Sequence, residues 1–151
     1  MPRARAGGYH SDVRVLALDL GRRRIGVAIS DATGTLARPL EVIDASGPAQ
    51  LERVVDAIAR FAADDDGLGR VVVGLPRRLD GTPNDQTPVV LAFVEALKSR
   101  VALPIDLQDE RLSSVEAESR LAVRDRDWRS RKTRLDAAAA AVILQDYLDS
   151  R

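Results

Sequence analysis

Asp19, Glu110 and Asp136 are the residues whose type and position could do chemistry. Each is a carboxylate at the end of a predicted strand or in the first turn of a predicted helix. Brought together, three such acids form a hard-oxygen set suited to Mg²⁺ or Mn²⁺, ions that keep water and substrate phosphate in their remaining positions. Phosphodiester hydrolysis is the reaction that set suits best. Two ions a few ångströms apart can activate the attacking water and steady the leaving oxygen, so no histidine or nucleophilic side chain is needed. The chain has no cysteine, which excludes disulfide scaffolds, thiolate zinc sites and cysteine nucleophiles, and His10 is its one histidine, in a tail expected to be flexible.

Each acid also has an ordinary reading. Asp19 ends an apolar run, VRVLALDL, where an ionised carboxylate carries a desolvation cost unless a cation offsets it. That cation could equally be Arg22, Arg23 or Arg24 of the following turn. Glu110 ends the fifth predicted strand and could pair with Arg111, while its neighbour Asp109 is a further possible metal ligand. Asp136 sits in the first turn of a helix, where an acid is favoured by the helix dipole. The five alanines that follow, Ala137 to Ala141, permit close approach of that helix to a sheet and could bring Asp136 to the metal.

Basic residues supply candidate phosphate contacts. Residues 120 to 134 hold Arg120, Arg124, Arg126, Arg129, Arg131, Lys132 and Arg134 against Asp125 and Asp127, whereas residues 41 to 66 hold seven acids against Arg53 and Arg60. The formal net charge is zero, so any nucleic-acid contact must rest on such local clusters. Arg22, Arg23, Arg24, Arg77, Arg78, Arg129, Arg131 and Lys132 are the candidates for it. Asp80-Gly81 reads as a turn. Trp128 could stack on a base or anchor its loop, and aromatics are otherwise too scarce, at 3%, for extensive base stacking.

The elements that must position these groups follow from periodicity. Val13 to Leu20 reads as a strand buried on both faces. Arg24 to Ser30 returns as its antiparallel partner after a short turn at Gly21, and Asp31 to Gly34 turns into a third strand around Leu36 to Ile43. Helical spacing runs from Pro48 to Ala62, then a strand from Arg70 to Pro76, a second helix through Val89 to Leu97, and a strand over Pro104 to Glu110. Ser113 with Glu116 suggests a capping box for a third helix. Arg124 to Arg134 has no apolar period and is expected to be a mobile loop ahead of an alanine-rich helix from Leu135 to Leu148.

The order βββαβαβαα, with right-handed crossovers, gives an α/β fold with a mixed five-stranded sheet flanked by helices. Its fourth and fifth strands run parallel to the first, which puts Asp19 and Glu110 near one sheet edge. The 151 residues suit one domain over 13–151 after a flexible tail at 1–12. The chain shows neither a secretory signal nor an apolar run long enough to span a bilayer, so a cytosolic protein is expected, with no membrane partner.

Four segments together resemble the YqgF/RuvX proteins: ALDLGRRRIGVAISD at 17–31, VVGLPRRLDGT at 72–82, DERLSS at 109–114 and KTRLDAAAAAVIL at 132–144. The resemblance spans nearly the whole chain after residue 12 and implies an RNase H-like fold and a metal-dependent nuclease, with the family's acids at Asp19, Glu110 and Asp136. The roles it implies are processing of the 5′ end of the 16S ribosomal RNA precursor, the first choice, or resolution of Holliday junctions. Structured RNA or branched DNA would be the corresponding partner. Arg22 stands where many members have lysine, which preserves the charge. Two readings of other classes are an actin-like or sugar-kinase nucleotide-binding domain, which the short length opposes, and a catalytically silent RNA-binding module.

Overall fold

The computed structural model describes residues 13–109 and 128–151, and of residues 128–135 the backbone alone. Five strands form one sheet: β1 (Arg14–Leu20), β2 (Arg24–Ser30), β3 (Ala37–Asp44), β4 (Leu68–Leu75) and β5 (Ile105–Asp109). Helix α1 (Gln50–Ala62) joins β3 to β4, α2 (Thr87–Lys98) joins β4 to β5, and α3 (Trp128–Ser150) ends the chain. The sheet order is β3-β2-β1-β4-β5. β2 is antiparallel to both β1 and β3, whereas β4 is parallel to β1 and to β5. This is the mixed sheet expected from the element order. The expected capping-box helix at Ser113 lies outside the described residues.

Strand alternation divides the core into two layers. Leu16 and Leu18 of β1, Val71, Val73 and Leu75 of β4, and Ile105 of β5 point to the face covered by α1 and α2. Val15 and Ala17 of β1, Ala28 of β2 and Val72 of β4 point to the other face, where Ala140, Ile143, Leu144 and Leu148 of α3 cover them. Leu16, Leu18, Ile25 and Ile143 are fully buried. Truncating any one of them to alanine costs about 2–5 kcal/mol by the usual sum of lost transfer energy and residual cavity.

Two charged groups brace this frame. Arg14 is buried at the start of β1, and its guanidinium donates to the carbonyls of Gly67 and Phe61 and to Asp64, which ties the α1–β4 turn to the sheet. Asp31 closes the β2–β3 turn by accepting from the Thr33 hydroxyl and from the amides of Thr35 and Leu36. These three bonds, the hydroxyl's first, hold its carboxyl down at about 2.

One expectation fails at α3. The basic stretch from Arg124 to Arg134 was expected to be a loop, but its part from Trp128 onward is helical, so α3 begins seven residues before Leu135. Arginine and lysine are good helix formers, and no glycine or proline interrupts residues 128–150. An apolar stripe is therefore not required for a helix here. No helix among the described residues is long and apolar enough to cross a membrane.

Candidate active site

Asp19 follows Val15 and Ala17 on β1 and therefore shares their face of the sheet, toward α3. Its cross-strand partner on β2 is Gly26. A β-carbon built on Gly26 would overlap the backbone of α3, 2.6 Å from the Asp136 carbonyl carbon and 3.2 Å from the Ala137 nitrogen. Directly opposed residues of an antiparallel pair lie on one face, about 5 Å apart. Gly26 is thus the seat on which the helix rests, and the residue seated there is Asp136. Only a residue without a side chain lets α3 come this close. Asp19 and Asp136 are brought to the same face by that contact.

Arg24, two residues before Gly26, lies on the same face and donates from Nε to Asp136 Oδ2 at 2.6 Å. Both side chains of the pair remain about one third exposed, 33% and 29%. The arginine expected as a possible partner for Asp19 or as a phosphate contact is therefore engaged with Asp136, and it fixes how that carboxylate is turned. Beside the pair is an open hollow of about 260 Å³ lined by Gly21, Arg22, Arg23, Arg24 and Asp136. Arg22 and Arg23 are exposed at its rim, so the hollow is cationic except for the one acid. An anion such as a phosphodiester fits that charge.

Asp109 belongs elsewhere. It is in register with Leu75, whose side chain packs on the α1/α2 face, and parallel neighbours share a face. Its carboxylate lies 3.6 Å from Arg77 Nη1. The sheet therefore stands between Asp109 and the Asp19 face, which counts against Asp109 as a ligand in the same set.

The loop after β4 is closed on itself. Arg77 bridges to Pro83, the Arg78 amide donates to the Thr82 carbonyl at 2.8 Å, and the Arg78 side chain donates from Nε to the Pro83 carbonyl at 3.1 Å. Asp80 accepts from both the amide and the hydroxyl of Thr82, and Gly81 takes the positive φ of +90° that the turn requires. Asp80-Gly81 is the turn expected from the sequence. Arg77 and Arg78 both hold this loop in shape, with the exposed Arg78 next to the carboxyl end of β4.

Glu110 lies outside the described residues, as do the side chains of Trp128, Arg129, Arg131 and Lys132. Among the described residues no three acids or histidines cluster as a metal site. Two features of this candidate site differ in how far the sequence signals them. Gly26 carried a signal, a glycine inside an apolar strand, which often marks close backbone approach. The Arg24–Asp136 pair joins residues 112 positions apart and had none.

Comparison with known proteins places this arrangement. Residues 13–150 match the RuvX family, described as Holliday junction resolvase. A Chloroflexus aurantiacus protein named "Putative pre-16S rRNA nuclease" is 45% identical over 141 residues, covering 93% of this chain and 90% of its own. A protein of the same name from Desulforamulus reducens is 42% identical over 138 residues, covering 91% and 98%. Among solved structures, Thermus thermophilus RuvC in complex with Holliday junction substrate superposes with a TM-score of 0.53 at 17% identity, covering 92% of this chain and 95% of that one. That likeness shows the fold alone, the RNase H-like one. With the family match spanning almost the whole described sequence and relatives above 40% identity, the chain belongs to the RuvX family.

Proposed function

We propose that this protein is a divalent-metal-dependent nuclease that hydrolyses phosphodiester bonds, with the 5′ end of the 16S ribosomal RNA precursor as its first-choice substrate. The observation that carries the reading is the seating of Asp136 on Gly26, directly across the ladder from Asp19. Two hard-oxygen donors on one face, next to a cationic hollow, fit a Mg²⁺ or Mn²⁺ ion better than a softer metal. Asp19, Asp136 and Glu110 are the residues proposed to hold it. When bound, the ion supplies a nucleophilic water at neutral pH and offsets charge at the phosphate.

The rest of the work falls to the chain's own side chains. Arg24 holds one oxygen of Asp136, and the other oxygen is the one that would hold the ion. Arg22 and Arg23 neutralise the phosphate backbone at the hollow's rim, which implies binding that weakens as salt rises. Arg129, Arg131 and Lys132 are proposed to extend that contact. Substrate identity comes from the names carried by the relatives, and resolution of four-way DNA is the second reading because the family description and the RuvC fold both favour it.

Cleavage of a structured 16S precursor RNA and of a four-way DNA junction, each with Mn²⁺ and with chelator, tests the proposal. Metal-dependent cleavage of the RNA in preference to the junction is the expected result. Cleavage of neither substrate would refute the nuclease reading, and cleavage of the junction alone would replace the substrate.

A further inference from the structure

We infer that a second hollow, on the opposite side of the β1–β2 turn, is a subsite for one nucleobase of the bound strand, an inference that rests on the nuclease reading above. This hollow has a volume of about 480 Å³ and lies between that turn and the first residues of α1 and α2. Its wall is mostly apolar, with Leu20 from β1 and Val89 and Phe93 from α2. The residues with polar side chains that line it are few: Gln50, Gln86 and Arg22. The Gln86 side chain makes no capping bond at the start of α2.

Three features select a base as the occupant. A flat π-face matches the wall offered by Phe93 and the aliphatic side chains, as in stacking platforms for single strands. An amide both donates and accepts, which is what the edge of a base requires. An aliphatic side chain from a protein partner would fill the wall but offer no polar edge to Gln50, Gln86 or Arg22. The charge also agrees, because no acid is among the residues that line the hollow.

Position supplies the last step. Gly21 and Arg22 line this hollow and also the one beside Asp136. A strand whose phosphate lies at Arg22 can therefore send its neighbouring base over the β1–β2 turn and down onto Phe93. Val89, which lines the hollow, is 57% exposed, an apolar surface that such a base would cover. A base can enter only when it is unpaired, so the subsite selects single-stranded or branched segments over continuous duplex.

Affinity measured in chelator, where no cleavage occurs, tests this directly. The probes are a short single-stranded RNA and the same sequence as a fully paired duplex, with wild type, Val89→Asp and Val89→Ile. Val89→Asp is expected to weaken the single strand about tenfold, the scale of one stacked base, and to leave duplex affinity within about twofold, whereas Val89→Ile retains both. A single strand bound equally well by Val89→Asp, or an equal loss for both probes, would overturn the subsite. Wild type that shows this selectivity but cleaves nothing with Mn²⁺ would remove the nuclease reading and leave the subsite standing.

Discussion

Helix α3 is tied to the sheet at two places that each hold an aspartate and an arginine, through Asp136 itself at one and through Tyr147 at the other, and the two places differ in what surrounds the pair. Near its start, Arg24 holds Asp136 at 2.6 Å with Asp19 on the same face and a hollow of about 260 Å³ alongside. Near its end, Asp106 of β5 accepts on one oxygen from Arg70 at 2.9 Å and from the Tyr147 hydroxyl at 2.5 Å. Burial, and then the bond to and charge of Asp106, push the Tyr147 phenol up to about 12. An acid–arginine pair by itself thus says little about chemistry. What marks the first place is Asp19 directly across the ladder from Gly26, on which Asp136 is seated, and a hollow with space for a phosphate.

The largest expected effect comes from removing the seat. Gly26→Val puts side-chain atoms where the Asp136 backbone lies, so α3 must shift. The cost is about 3 kcal/mol, at the upper end for overpacking, or roughly 6–12 °C in Tm for a chain of this size. Cleavage should fall with it, because Asp136 moves away from Asp19. A melting scan showing no loss would mean that the close approach is not there.

Arg24→Gln separates positioning from stability. The charged partner that turns Asp136 is lost, and the Mn²⁺ concentration needed for half-maximal cleavage should rise about tenfold, as for other groups that orient metal ligands. Because the pair is partly exposed, Tm should move by only about 2 °C. An unchanged metal requirement would show that Arg24 only braces the helix.

At the other end of α3 the pattern should reverse. Tyr147→Phe removes one hydrogen bond to a carboxylate, costs about 1–2 kcal/mol and leaves cleavage unchanged. Since the phenol titrates higher in the fold, at about 12 against an ordinary 10, its contribution is complete below pH 10 and disappears as pH rises from 10 toward 12. Chemical denaturation of wild type should show that alkaline loss, and Tyr147→Phe should lack it. A reduced cleavage rate in this variant would blur the distinction between the two ends.

The smallest effect is at Asp31, which is exposed in the β2–β3 turn and belongs to neither pair. Its depressed carboxyl contributes stability that is present above the ordinary value near 3.8 and lost as pH falls toward 2. Asp31→Ala should therefore lower stability modestly at neutral pH and flatten the acid limb of the stability curve between about pH 4 and 2, so that variant and wild type converge near pH 2.

The sequence made the sheet legible because its strands carry their own signals. β2 is found over Arg24–Ser30 as expected, and the short turn at Gly21 forces it antiparallel to β1. The parallel placement of β4 and β5 follows from the helices between them. The early start of α3 was hidden because periodicity detects a buried face, and its first turns carry charge instead. Alternation along β5 could have set Asp109 apart from the Asp19 face, since it needs only the strand's register with β4. The seating of Asp136 on Gly26 could not be read that way. It depends on how α3 crosses the sheet, and no local pattern encodes that angle.

Asp19→Asn is the most direct test of the claim that Asp19 and Asp136 act together on a metal. Cleavage of the precursor RNA or the junction with Mn²⁺ should fall at least ~10²-fold, in the range for losing a central charge-stabilising group, while Tm and binding in chelator stay at the wild-type level. Full metal-dependent cleavage by Asp19→Asn would contradict the account.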